Sequence, residues 1–260
     1  MLKQIAAFLL LRHSGTARRY PEVDALRGVA IGLMIGYHIA YDLTLFGVYR
    51  ASVVSGAWRV FGRIPAVMFL GLAGVSIWLS YARLSPVLGG WKLYRYYLVR
   101  GLKLLGWGVV ITLVSWVYAG QPVILFGILH LLGAATLLAF PFVRAPSRDL
   151  ALGALACAGA GWLLEGLPVA HDWFLWLGLR SPSLFQFDYF PLLPWFGLVL
   201  AGMAVGKWLY PAGQQRAELA RLGSWPAARA LAWLGQRSLL IYLVHQPILL
   251  GTLTLIVSLA

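Results

Sequence analysis

Charge is scarce in this chain. Of its 260 residues only 11% are Asp, Glu, Lys or Arg, less than half the share of about 25% in a soluble domain. Acidic residues are rarer still, 8 against 21 basic ones. Cysteine is reduced to Cys157, set in an Ala-Cys-Ala run, which excludes an intramolecular disulfide and any multi-cysteine metal site. Low-complexity segments are missing, and so is a clear internal repeat, so the inverted-repeat architecture of many secondary transporters finds no support. What the chain has in excess is apolar surface: 61% of its residues are hydrophobic and the mean hydropathy is +0.80. A water-soluble fold of this size has nowhere to put so much of it, whereas in a bilayer that surface is the outside of the protein. At roughly 20 apolar residues per crossing, the length accommodates about seven helices joined by short loops. The expected fold is therefore all-α, a polytopic integral membrane helical bundle.

The formal charge of +13 would point to nucleic acid in a soluble protein. Here the basic residues sit at the ends of apolar runs, where they anchor helices and set orientation, and no nucleic-acid partner is expected. Residues 1–20 hold a short apolar run broken at Arg12 and followed by Arg18 and Arg19. Without a small-residue cleavage site, this stretch is expected to be an interfacial segment or tail ahead of a membrane domain at 21–260. Spans are expected at 26–48, 64–82, 98–119, 122–142, 150–168, 189–209 and 233–258. With the N-terminus in the cytoplasm, every Lys and Arg except Arg50, Arg59, Arg63 and Arg180 falls on the cytoplasmic side. Such an asymmetry fixes the orientation by the positive-inside rule, N-terminus in and C-terminus out. Gly28, Gly32 and Gly36 recur at four-residue spacing in the first span, a signal of close helix packing.

Titratable groups inside a span are costly and default to a functional hypothesis. In the first span Asp24, Arg27, His38 and Asp42 fall within roughly 60° of one another at 100° per residue. One stripe thus carries an acid–base pair at the cytoplasmic mouth and a His/Asp pair deeper in. A carboxylate one turn from an imidazole can hold one ring nitrogen and raise the basicity of the other, which suits a general base for an amine or hydroxyl. The competing reading is a buried pair that satisfies itself and joins helices. His130 lies mid-span in the fourth helix. His245 lies mid-span in the last, where Ser238 and Tyr242 share its face and Pro247 leaves the Leu243 carbonyl without its usual partner. Three histidines on different helices suggest a shared polar cavity. No His-x-His or His-x-x-x-His spacing supports a metal site, and none is expected. The basic loop and helix end with Arg83, Lys92, Arg95, Arg100 and Lys103 fits acidic lipid headgroups or the phosphates of a cytosolic donor.

These residues bring a known family into view. Val23-Asp-Ala-Leu-Arg-Gly-Val-Ala-Ile, followed by His38-Ile-Ala-Tyr-Asp42, resembles the first helix of the heparan-α-glucosaminide N-acetyltransferase catalytic domain family, its compact bacterial members above all. Phe69-Leu-Gly-Leu-Ala-Gly-Val-Ser, Phe126-Gly-Ile-Leu-His-Leu-Leu-Gly, Pro191-Leu-Leu-Pro-Trp-Phe-Gly with Gly202-Met-Ala-Val-Gly, and Leu234-Gly-Gln-Arg-Ser-Leu-Leu-Ile-Tyr-Leu-Val-His-Gln-Pro are similar in the same order. The resemblance implies an acyltransferase in a bacterial inner membrane that takes an acetyl group from cytosolic acetyl-CoA and delivers it to an amino sugar or glycan. It implies His38 as general base, Asp42 as its orienter, and Arg27 with Arg95 or Arg100 on the CoA phosphates. Asp24, His130, Ser238, Tyr242 and His245 are expected to line the cavity. The alternatives are a proton-linked permease and a non-catalytic membrane scaffold.

Overall fold

The computed structural model describes residues 19–50, 52–119, 123–184, 186 and 188–259; the expected interfacial segment lies almost wholly outside them. The described residues form helices and no strand. We number the α-helices α1 (Pro21–Leu45), α2 (Gly56–Leu84), α3 (Gly90–Val114), α4 (Ile128–Ala139), α5 (Ser147–Leu164), α6 (Leu192–Leu209), α7 (Ala217–Ser224), α8 (Pro226–Gly235) and α9 (Ser238–Leu259). Each expected span has its helix. Five of them, α1, α2, α3 with its continuation to Val117, α6 and α9, are long and apolar enough to cross a bilayer. The chain is an all-α, multi-pass membrane protein.

Its contacts cluster into two compact units. The first holds the described residues up to Phe69 and those from Gln215 onward, and the second runs from Leu70 to Gln214; α2 contributes to both.

In the first unit, α1 begins where Pro21 supplies a preset φ and no surplus N–H. Glu22 and Asp24 in its first turn complement the helix dipole. The helix stops where Gly47 takes a left-handed φ of 74° and donates its N–H to the Thr44 carbonyl. Its N-terminal half packs on α8 through glycine. A Cβ on Gly28 would lie 2.0 Å from the Leu231 carbonyl oxygen, and one on Gly235 would lie 1.8 Å from that of Asp24. Gly32 and Gly36, read from the sequence as part of the same packing stripe, meet nothing within 4 Å in their own unit. Tyr37 ties α1 to the start of α2: its ring lies where a Cβ on Gly62 would sit, and its hydroxyl donates to the Val53 carbonyl at 3.3 Å. The amphipathic helices α7 and α8 stand where the sequence showed only a connector, and the Gln236–Arg237 turn delays the last helix to Ser238.

The second unit has a core of Leu70, Ile77, Tyr97, Leu131, Val199 and Met203 with their neighbours. Small residues again set the helix spacing, since Gly74 faces the Val199 carbonyl and Gly202 faces that of Gly71 at backbone distance. The fourth helix starts at Ile128, later than expected: residues 123–127 are not helical, and the Phe190 N–H donates to the Phe126 carbonyl.

Candidate functional site

The first unit brings together His38 and Asp42 of α1 with His245 and Gln246 of α9. The two imidazoles meet edge to face, with centroids 4.8 Å apart and planes at 81°. His38 Nδ1 lies 2.8 Å from the Met34 carbonyl oxygen, and His245 Nδ1 lies 2.7 Å from that of Tyr242. A carbonyl only accepts, so in both rings Nδ1 carries the proton and donates it to the backbone. Nε2 is then left as the basic lone pair in each neutral ring. The arrangement is thus a pair of like tautomers with two basic nitrogens. The Nε2 of His245 is buried and has no hydrogen-bond partner, while His38 is half-buried. Tyr242 stays close, its ring 5.7 Å from that of His245.

The i,i+4 spacing places Asp42 one turn from His38, within electrostatic reach. The group that fixes the His38 tautomer, however, is the Met34 carbonyl. The Asp42 carboxylate, 0% exposed, accepts a hydrogen bond at 2.8 Å from Gln246 Nε2. Gln246 was not singled out in the sequence. It lies 204 residues from Asp42, and a glutamine between a histidine and a proline carries no periodic signal of its own.

At the N-terminal end of α1, Arg27 Nη1 donates to Asp24 Oδ1 at 2.9 Å, and Arg19 stands 3.7 Å from the other carboxylate oxygen. Asp24 itself is buried. Much of the Arg27 charge is therefore matched internally. Arg95 and Arg100, on α3 of the second unit, have no carboxylate partner among the described residues.

His130 is built into the second unit differently. It sits in the first turn of α4, 8% exposed, and its Nδ1 accepts from the Gly127 N–H at 3.3 Å. Its Nε2–H then faces Thr112 Oγ1 at 3.5 Å. Thr112 Oγ1 donates in turn to the Ile124 carbonyl at 2.6 Å. The ring stacks on Phe126 and occupies the space left by the missing side chain of Gly108. Its tautomer is opposite to that of His38 and His245, and both of its nitrogens are engaged. This histidine caps a helix start, helped by Asp188, whose Oδ2 accepts from the Ile128 N–H at 3.2 Å. A Gly-x-x-His pattern at the head of an apolar run was the available sequence signal. Among the described residues, no three His, Cys, Asp or Glu side chains are grouped so as to hold a metal ion.

Residues 19–247 match the family described as heparan-alpha-glucosaminide N-acetyltransferase, catalytic. No curated protein and no solved structure matches the chain.

Proposed function

The chain belongs to the heparan-alpha-glucosaminide N-acetyltransferase catalytic family, and from that premise we propose a membrane-embedded acyltransferase that moves an acetyl group from cytosolic acetyl-CoA to an amino-sugar or glycan acceptor. In this reading His38 is the general base. The acceptor amine or hydroxyl attacks the thioester carbonyl and the new N–C or O–C bond forms. The C–S bond breaks, the acceptor proton passes to His38 Nε2, and from there it goes to the departing thiolate. The Met34 carbonyl holds the ring with that nitrogen basic, and the Asp42 carboxylate stabilises the imidazolium that forms. Ser238, Tyr242 and His245 flank the site from α9. Asp24 and Arg27 sit at its cytoplasmic end, and by their charge and the family resemblance Arg27 with Arg95 or Arg100 would steer the CoA phosphates. The proposed location is a bacterial inner membrane, after the compact members the chain resembles, and the charge asymmetry of its loops supports an orientation with the N-terminus in and the C-terminus out.

The single observation that carries the assignment is an accessible ring of the right tautomer. His38 offers a basic Nε2 on a half-buried ring, whereas His245, with the same tautomer, is buried and His130 has both nitrogens engaged in capping. Transfer of labelled acetyl from acetyl-CoA by purified protein tests it. Loss of a positioned general base is worth about 10²–10⁴ in rate, and full turnover by His38→Ala would remove the assignment.

One observation favours a second reading, a proton-linked permease: a fully buried carboxylate on a membrane helix. It predicts pH-gradient-dependent uptake in proteoliposomes and no binding of CoA.

A further inference from the structure

Asp42 is completely buried, and among the described residues no Lys or Arg forms an ion pair with it; the basic group within its electrostatic reach is the His38 imidazole, one turn away. The ion pairs among the described residues are Arg19–Asp24, Arg27–Asp24 and Arg148–Asp149. A carboxylate removed from water without a counter-charge is strongly disfavoured, and proteins pair such groups or let them coordinate a cation. The surroundings of Asp42 add to this demand. Among the described residues, the buried side-chain N and O atoms without a hydrogen-bond partner are Asp42 Oδ2, Gln246 Oε1, His245 Nε2 and Gln186 Nε2. The first three belong to this cluster, and all three are acceptors. The Gln246 amide turns its N–H toward Asp42 Oδ1 at 2.8 Å, which leaves the amide oxygen over. His245 has given its N–H to the Tyr242 carbonyl, which leaves Nε2 over. One turn below, Pro247 frees the Leu243 carbonyl of its helical partner.

We infer that Asp42, Gln246 and His245 form a binding site for a small monovalent cation. This goes beyond the acyl-transfer reading and does not rest on it. The site holds a buried carboxyl group and three buried acceptor atoms without partners, and a cation would complete both the charge and the hydrogen-bond count. One carboxylate balances a single positive charge, and the absence of a three-residue His, Cys, Asp or Glu group among the described residues argues against a divalent ion. An ammonium-type ion would donate to all three acceptors. An alkali ion would use the two side-chain oxygens. The shared chemistry is a compact cation small enough to reach a fully buried carboxylate.

The test uses purified full-length protein in nanodiscs of neutral lipid. It is melted in NaCl, KCl, NH4Cl or N-methyl-D-glucamine chloride at equal ionic strength. A small cation is expected to raise the melting midpoint saturably, by on the order of 5 °C at a hundredfold excess over its Kd, relative to the bulky organic cation. A response to ammonium alone identifies a hydrogen-bonding cation, and a response to Na⁺ or K⁺ identifies oxygen coordination; either supports the site. Gln246→Leu removes one oxygen and the tie to Asp42, and should weaken the apparent affinity roughly tenfold. Asp42→Asn should abolish the response. Should Asp42→Asn fail to fold, the wild-type salt series and Gln246→Leu decide the matter between them. A wild-type midpoint that is the same in all four chlorides overturns the inference, and so does a response that Gln246→Leu leaves unchanged. Neither readout involves acyl transfer, so failure here is distinct from failure of the proposed activity.

Discussion

Two identical substitutions four residues apart on α1 should have opposite effects. In Gly28→Ala the new Cβ would lie 2.0 Å from the Leu231 carbonyl oxygen and 2.7 Å from its carbon. Both are backbone atoms of α8, so no side chain can rotate away. To reach ordinary contact, α1 and α8 must separate by roughly 1 Å, and overpacking of that kind costs about 1–3 kcal/mol. Alanine returns about 0.5–1 kcal/mol through helix propensity, leaving a net loss of up to about 2.5 kcal/mol. In Gly32→Ala the new Cβ meets nothing within 4 Å in its unit, so the propensity gain of about 0.5–1 kcal/mol stands alone. At about 2–4 °C per kcal/mol for a chain of this size, Gly28→Ala should melt below wild type, by up to roughly 10 °C. Gly32→Ala should melt about 1–4 °C above it. Midpoints of purified variants in one detergent, followed by tryptophan fluorescence, give the comparison. If Gly28→Ala melts at or above wild type, or if both variants move together, the backbone contact between α1 and α8 does not set the stability of that unit.

His130→Ala removes the acceptor for the buried Gly127 N–H and should lower stability by about 1–3 kcal/mol; the fraction that stays folded should keep its transferase activity, measured per active molecule. Replacing Arg95 and Arg100 together by alanine should raise KM for acetyl-CoA roughly tenfold, the worth of about 1.4 kcal/mol in donor binding. Arg27→Ala should do less, because Asp24 already matches its charge. Single cysteines placed at Arg50 and at Arg83 in a Cys157→Ala background should label from opposite sides with a membrane-impermeant thiol reagent in intact cells, Arg50 from outside. Labelling of both from the same side refutes the orientation.

The membrane class and helix positions were legible because apolar runs of the length of a bilayer leave few alternatives. The errors were local and had tertiary causes. The start of α4 moved to Ile128, and Phe126 just ahead of it pairs with Phe190, a partner distant in sequence. Helices α7 and α8 went unread because their charged and apolar faces average out in a hydropathy window. Of the glycine stripe, Gly28 meets a neighbouring backbone in its unit and Gly32 and Gly36 do not, a distinction periodicity cannot make. In the site, helical spacing put His38 and Asp42 one turn apart on α1, but their hydrogen bonds go to the Met34 carbonyl and to Gln246. It was silent on Gln246, since a hydrogen bond across 204 residues leaves no mark in local pattern. It singled out His38 by its spacing to Asp42 and left His130 and His245 as cavity-lining, with nothing to say how any of the three rings is held. The hydrogen bonds separate them: two give Nδ1–H to carbonyls and keep a basic Nε2, and the third spends both nitrogens on a helix start.

The central claim, that His38 is the base of an acetyl transfer, is tested most directly by single-turnover transfer of radiolabelled acetyl from acetyl-CoA to an amino-sugar acceptor. Wild type, His38→Ala and His130→Ala are compared at equal amounts of folded protein. The account predicts transfer by wild type and by His130→Ala, and a rate about 10²–10⁴-fold lower for His38→Ala. Equal rates for wild type and His38→Ala, or no label transferred by wild type, would contradict it.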